Sequence, residues 1–359
     1  MTATDDTAPD TSRAPRTTAP ALVSTRRPRT VLAMSRETGD ALRHEGAVDR
    51  LLEVADLAPD LLVTDFADPA AAPALADAEV LLTHWGCPPL TGRALTAMPR
   101  LRAVVHAAGS VKHHITDAVW ERGIAVSSAS AANALPVAEY TLAVILLAGK
   151  RVLDSARLYR ERRVRYPLLP YYAGHGNYRR VVGVVGASRT GRRVIELLRP
   201  FDFTVLVHDP YLDDAEAARL GVRRAGLDEL ARRSHVVTIH APELPETRHL
   251  FDARRLALLP DGATLVNTAR GSLVDTEALV TQLTSGRIHA VLDVTEPDVP
   301  PADSPLYGLP NVLLTPHIAG SLGGELGRLA DHAAAEISRY ARGRPFAHPV
   351  TAQELSRTA

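Results

Sequence analysis

Val181-Val182-Gly183-Val184-Val185-Gly186-Ala187-Ser188-Arg189-Thr190-Gly191 is the stretch on which the fold turns. Four valines around one glycine read as a strand buried on both faces, and the glycines that follow read as a turn. Beyond them Val194, Ile195, Leu197 and Leu198 fall at helical spacing. Strand, glycine turn and helix in that order form the dinucleotide-binding fingerprint, here Gly186-x-Ser188-x-x-Gly191. Gly186 permits the tight turn, and Gly191 lets the helix pack closely on the strand. Ser188 departs from the pattern: its Cβ crowds the place where backbone approaches a pyrophosphate, while its hydroxyl offers a hydrogen bond to a phosphate oxygen.

The following run, Thr204 to His208, reads as the second strand and ends at Asp209, 23 residues after Gly186. A carboxylate there accepts hydrogen bonds from the ribose hydroxyls of adenosine and repels a 2′-phosphate. Residues 210–214, Pro-Tyr-Leu-Asp-Asp, hold no arginine to receive such a phosphate. NAD is therefore expected over NADP.

Working outward, strand-like runs continue at 235–239, 263–267, 290–292 and 312–314, alternating with helical segments. The same alternation occupies the N-terminal half, with strand-like runs at 31–34, 61–63, 80–82 and 103–105. Pro136 to Leu147 reads as a long buried helix with its proline in the first turn, and Glu325 to Arg342 as another helix. The expectation is an α/β protein with two doubly wound parallel-sheet domains, a Rossmann nucleotide domain inserted into a flavodoxin-like substrate domain. The expected division is a disordered arm over 1–29, a substrate domain over 30–145 and 320–350, and a nucleotide domain over 146–319.

Composition narrows the function class. Of 359 residues, 46% are hydrophobic, enough for two cores. The 41 basic and 41 acidic residues cancel, which argues against a nucleic-acid or membrane-surface partner. Cys87 is the single cysteine, so no intrachain disulfide forms and a reducing compartment is compatible. No uninterrupted apolar run approaches the roughly 18 residues of a membrane span. Arg26-Arg27 could open a twin-arginine export signal, but charge returns within a few residues. A cytoplasmic protein is expected. Lys112 and Lys150 are the only lysines beside 39 arginines (41 minus 2), so arginine abundance by itself signals nothing.

Six motifs recur in order: Asn133-Ala-Leu-Pro-Val-Ala-Glu139, the glycine loop, His240-Ala-Pro242, Asn267-Thr-Ala-Arg-Gly271, Leu292-Asp-Val294 and Thr315-Pro-His-Ile-Ala-Gly320. In order and spacing they resemble the D-isomer-specific 2-hydroxyacid dehydrogenases, over roughly residues 30–345. The resemblance implies hydride transfer between NAD(H) and a small 2-hydroxy or 2-oxo acid in a cleft between the domains. It implies that Arg270 clamps the substrate carboxylate, for which a guanidinium is suited by its two parallel donors. It assigns the acid–base role to His317, a role that suits an imidazole because its ordinary pKa lies near working pH.

Relatives pair that histidine with a glutamate. Counting without a gap from Asp293 places Asp298 at that position, with Glu296 two residues earlier as the alternative. The resemblance further implies a cofactor site of Gly186, Ser188, Arg189, Thr190, Gly191 and Asp209. To these it adds His240, Ala241, Pro242, Thr247, Thr268, Ala269, Asp293 and Gly320. Gly109, Ser110 and Val111 match the loop whose N–H groups hold the substrate carboxylate.

Lys112 follows that loop where many relatives carry an acid, and either binds a second anionic group or is a solvated helix-start lysine. His84-Trp85 either walls the pocket or is core. His113-His114 lack a third ligand at metal spacing, so no metal is expected. Relatives also suggest a homodimer, packed through a segment here rich in tyrosine: Tyr159, Tyr166, Tyr171, Tyr172 and Tyr178. Two other readings remain open: an NAD-sensing corepressor without catalysis, and phosphite or formate oxidation, which an acid at position 298 disfavours.

Overall fold

The computed structural model describes residues 26–165, 170 and 172–355. Its strands are β1 (Thr30–Ala33), β2 (Leu62–Val63), β3 (Val80–Thr83), β4 (Ala103–His106) and β5 (Ala125–Ser128), then β6 (Val181–Val185), β7 (Thr204–His208), β8 (Arg223–Arg224), β9 (Val236–Ile239), β10 (Thr264–Asn267), β11 (His289–Leu292), β12 (Val312–Leu314) and β13 (Pro349–Val350). They form two sheets, ordered β13-β5-β4-β3-β1-β2 and β12-β11-β10-β9-β6-β7-β8. Every pairing is parallel except β13 against β5. The first sheet has the flavodoxin-like order; the second has the Rossmann order with a seventh parallel strand.

Parallel strands need cover on both faces, and every residue of β1, β3, β4, β9 and β10 is buried. One core of the first sheet packs Leu32, Leu82 and Val105 against Leu329, Ala333 and Ile337 of the helix Leu326–Ala341. The chain thus returns to its first sheet after completing the second. Truncating Leu329 to alanine there would cost about 2–5 kcal/mol. Phe251, Leu256 and Leu265 centre one core of the second sheet; Val184, Val194 and Ile195 centre the other.

Several expectations are revised. The helix expected to begin at Pro136 begins at Ser130 and runs to Gly149, so Pro136 lies inside it. It starts where β5 ends, and Ala129 and Ala132 join the first sheet's core. Ala138, Val144 and Ile145 join the second sheet's core. One helix serves both sheets, and tertiary burial on each side outweighs the backbone bond lost at the proline. By length and composition alone this helix could cross a membrane, although the sequence shows no uninterrupted apolar run. Its buried contacts with both cores give its apolar character another cause.

The arm expected to be disordered to residue 29 is anchored over its last four residues. Arg26 pairs with Glu79 at 2.7 Å, and the Pro28 carbonyl accepts from the Asp56 amide at 3.0 Å. Residues 1–25 lie outside the described residues. β5, β8 and β13 were not among the strand-like runs read from the sequence; β8 and β13 are two residues long and carry no periodicity.

Candidate active site

The expected site residues follow the C-terminal ends of strands in both sheets, with Arg189, Thr190 and Gly191 opening the helix after β6, and Lys112 after β4 reaches Glu243 after β9. In open parallel sheets the crevice lies where strand order reverses, here between β1 and β3 and between β6 and β9.

The glycine turn leaves β6 at its reversal point. Gly186 has φ +94°, and a Cβ on it would lie 2.7 Å from the Ala241 amide nitrogen. A Cβ on Gly191 would lie 2.0 Å from the Gly186 carbonyl oxygen. Neither position admits a side chain. The turn is therefore a backbone cradle at a helix N-terminus, which is what a pyrophosphate requires. Ser188 caps the helix Arg189–Leu198, its Oγ accepting from the Gly191 amide at 3.3 Å, so the departure from glycine has a structural use. Thr190 is half-buried in the first helical turn, and exposed Arg189 reaches Ser130 Oγ at 2.8 Å.

Asp209, half-buried at the end of β7, accepts from the Ala187 amide at 2.7 Å and the Tyr211 amide at 2.8 Å. It stands against the turn, at the strand end where an adenosine ribose would be met. From β9, His240 is buried under the turn, its Nε2 2.9 Å from Thr238 Oγ1, with its pKa pushed down to about 3 by burial. Ala241 is buried beside Gly186, and Pro242 and Thr247 are half-buried. Thr247 Oγ donates to the Pro242 carbonyl at 2.7 Å and so staples that loop.

The loop after β10 carries Arg270. Asn267 shapes it: Nδ2 donates to the Arg270 carbonyl at 2.8 Å and Oδ1 accepts from the Ala269 amide at 3.1 Å. Thr268 is buried, its Oγ 3.3 Å from that of Thr141 on the shared helix. A Cβ on Gly271 would lie 2.0 Å from Thr295, so this loop is pressed onto the 293–298 loop. Arg270 is half-buried, and its guanidinium donates to the Ala269 carbonyl at 2.6 Å.

His317 is exposed after β12 with φ +56°. Buried Asp293 holds it there. Its Oδ1 accepts from Thr315 Oγ at 2.7 Å and the Ile318 amide at 2.8 Å, and its Oδ2 from the Ala319 amide at 2.9 Å. Its own carbonyl accepts from the His317 amide at 2.9 Å. Tyr140 adds a bond to Thr315 at 2.9 Å. Half-buried Gly320 follows, and the Ser321 amide donates to Asn133 Oδ1 at 3.1 Å. Asp293, expected as a cofactor contact, is in this structure the clamp of the histidine loop.

The structure does not bring the expected carboxylates to His317. Asp298 is exposed. Glu296 pairs with Arg248 at 2.8 Å and His249 at 3.5 Å, and Arg248 holds its carboxyl below the usual range. Among the described residues neither carboxylate is bonded to His317.

Opposite, Ser128 pins the substrate loop by donating to the Gly109 carbonyl at 2.5 Å and the Ala108 carbonyl at 3.2 Å. Gly109 and Ser110 are half-buried and Val111 is buried; Lys112 and His113 are exposed. Lys112 Nζ donates to the Glu243 carbonyl at 3.1 Å, tying the loop after β4 to the loop after β9. Behind it His84, His106 and His114 are fully buried, with Thr83 Oγ1 between His106 Nδ1 (2.9 Å) and His114 Nε2 (3.2 Å). His84 is thus core, whereas Trp85 is partly exposed at 37%. No metal-binding group of three or more ligands occurs among the described residues. Asn133, Asn267 and Thr315 stood inside quoted motifs without an assigned role. Ser128 had no signal beyond its place at a strand end.

Residues 142–319 match the family model described as D-isomer specific 2-hydroxyacid dehydrogenase, NAD binding domain. The chain is 31% identical over 257 residues to a glyoxylate reductase of Korarchaeum cryptofilum, covering 71% of this chain and 77% of that protein. The chain belongs to the D-isomer-specific 2-hydroxyacid dehydrogenase family. It is also 34% identical over 249 residues to a D-3-phosphoglycerate dehydrogenase of Mycobacterium tuberculosis, covering 69% of this chain and 46% of that protein. The chain thus spans about half the length of the phosphoglycerate dehydrogenases it matches. Among solved structures, the apo D-mandelate dehydrogenase of Rhodotorula graminis superposes with a TM-score of 0.73 at 25% identity, over 91% of this chain and 98% of that one. For this family member the nucleotide domain is accordingly an NAD-binding domain.

Proposed function

We propose that this chain is an NAD-dependent dehydrogenase that interconverts a small 2-oxo acid and its 2-hydroxy acid. The observation that carries the reading is the placement of Arg270 and His317. They leave the C-terminal ends of β10 and β12, either side of β11, in the sheet whose β6 end carries the glycine turn. NADH, when bound, supplies the hydride that reduces C2. Arg270 holds the substrate carboxylate with the N–H groups of the Gly109–Val111 loop and polarises the neighbouring carbonyl. His317 donates the proton that the carbonyl oxygen takes up, and accepts it back in oxidation. We assign the cleft residues before about 145 and after about 320 to the substrate side. Monitoring NADH oxidation with a panel of 2-oxo acids tests the proposal. No turnover with any of them would overturn it and favour an NAD-sensing role.

Preference for NAD rests on Asp209. The wild-type kcat/KM for NADH should exceed that for NADPH by at least about tenfold, the equivalent of ~1.4 kcal/mol of repulsion at the 2′-phosphate. Asp209→Ala should narrow the gap; equal use of both cofactors by the wild type would refute the assignment.

We further propose a homodimer. The helix Val152–Arg162 buries none of its residues, and Leu147, Val152, Leu153 and Tyr159 expose apolar surface next to one another in sequence. Tyr178 is also exposed, at 67%. Tyr166 and Tyr171 lie outside the described residues. Apolar and tyrosine-rich surface suits a subunit interface. Light scattering at micromolar concentration should return twice the 38.6 kDa chain mass, and a monomer mass would exclude the dimer.

A further inference from the structure

Beyond the helix Leu326–Ala341 the chain turns back and adds β13, antiparallel, to β5. A two-residue strand at a sheet edge has little of its own to hold it there. Other contacts do. Glu336, on the buried side of that helix and only 1% exposed, accepts from the Ala347 amide through both carboxylate oxygens at 3.1 Å. It also accepts from the His348 amide at 3.4 Å. Arg339 Nε donates to the Pro345 carbonyl at 2.7 Å, and the His348 ring lies 4.6 Å from that of His332. A buried carboxylate is costly unless its oxygens are bonded. Among the described residues, all the hydrogen bonds of Glu336 go to the returning chain.

What the returning chain meets is Ser128. The His348 carbonyl accepts from the Ser128 amide at 3.4 Å, and Pro349 and Val350 pair with Ser127 and Val126. On its other side, Ser128 Oγ bonds the Gly109 carbonyl and lies 3.2 Å from that of Ala108. A peptide unit is planar and trans, so its C=O and the next residue's N–H point in opposite directions. Fixing the Ala108 and Gly109 carbonyls on Ser128 therefore turns the Gly109 and Ser110 amides away from it. These two amides and that of Val111 lie outside any helix or strand, and none has a hydrogen-bond partner among the described residues. Consecutive unpaired N–H groups of this kind suit an anion. Their common direction is set from behind, by one serine hydroxyl.

We propose that residues 343–350 are a positioning strap for the substrate loop. Glu336 anchors the strap, the strap fixes Ser128, and Ser128 aims the Gly109 and Ser110 amides at the substrate carboxylate. Glu336 and Ser128 are positioning residues, and neither touches substrate. The inference rests on the dehydrogenase reading for the identity of the ligand, and deepens it by naming what holds the carboxylate donors in place. Without the hydroxyl the two carbonyls are free to turn, and a ligand must then order the amides as it binds, which weakens affinity.

The test reads the calorimetric Kd of oxamate, an unreactive mimic of a 2-oxo acid, for the NADH-loaded protein, together with KM and kcat for the best acid of the panel. Ser128→Ala should raise Kd and KM about tenfold, with kcat changed less than about threefold and NADH affinity less than about twofold. Glu336→Met keeps the volume, removes the acceptors and should raise Kd and KM about fivefold. Glu336→Gln keeps an acceptor and should stay within about twofold of the wild type. Arg339→Met frees the Pro345 carbonyl without opening the core, so it tests the strap if Glu336→Met does not fold; it should raise KM about threefold. Placed in the Ser128→Ala background, either strap variant should add nothing further, because the strap acts through Ser128. Wild-type Kd and KM in Ser128→Ala or in the folded strap variants overturn the proposal. So do strap effects that multiply with that of Ser128→Ala, or that fall equally on NADH and on the acid, as a general loosening of the fold would give. The expected oxamate pattern without turnover of any acid leaves the strap and removes the dehydrogenase. Acid turnover with a KM indifferent to these variants does the reverse, and a wild type that neither binds oxamate nor turns over an acid removes both.

Discussion

His317→Ala should lower kcat by about 10²–10⁴, with a much smaller change in KM. The imidazole is exposed on a loop that Asp293 holds through both carboxylate oxygens, so on the proposed mechanism its removal takes away the proton donor and leaves the scaffold's bonds in place. Arg270→Ala should instead damage kcat and KM together, because in the proposed mechanism the guanidinium binds the carboxylate in ground and transition states alike. Turnover of the His317 variant near the wild-type rate would remove the histidine from the mechanism. The pH profile then separates the two carboxylates. Glu296 is committed to Arg248, whereas Asp298 is exposed and forms no ion pair among the described residues, so Asp298 remains the proposed partner of His317. A carboxylate partner raises the histidine pKa, so Asp298→Asn should move the basic limb of the reductive profile to lower pH. Glu296→Gln should leave that limb in place. The opposite pattern would make Glu296 the partner.

Acid should unfold this protein well before its carboxylates protonate. His84, His114 and His240 are buried neutral, and burial pushes each pKa down to about 3. Burial, and then neighbouring His114, His84 and His113, lower His106 too. In the unfolded chain these groups recover a pKa of ~6.5. Between pH 6.5 and 3 the unfolded state therefore binds protons that the folded state refuses. Stability is intact above pH 6.5 and falls as pH drops through that window. At pH 5 each of the three costs about 2 kcal/mol, about 6 kcal/mol in all as an upper bound, which is much of a typical domain's stability. Denaturant midpoints at pH 7.5 and 5.0 should differ accordingly, and equal midpoints would contradict neutral burial. His114→Asn should flatten the slope of stability against pH by about one proton, whatever it does to stability itself. Because His84, His106 and His114 lie behind the substrate loop, substrate affinity should weaken in the same acid range.

The strand, turn and helix around Gly186 were legible because each rests on information local to the chain. Alternation of buried runs specifies parallel strands, and the glycine spacing specifies a cradle whose lack of room the structure measures at 2.0 and 2.7 Å. Asp209 followed from its place at the end of the second strand-like run, 23 residues after Gly186. Tertiary structure decided what depends on residues distant in sequence. Asp293 became a loop clamp because β11 lies beside β12 in the sheet, so its oxygens meet three donors from residues 315–319. Glu296 was withdrawn by Arg248, 48 residues away, which no count along the chain could weigh. Likewise the helix from Ser130 outgrew its proline because two cores bury it, and Lys112 met Glu243, 131 residues on, because two domains face each other. Periodicity records which face of an element is buried. It carries no record of which side chain waits on the other side of a cleft, because that pairing is set by how separately folded sheets pack together.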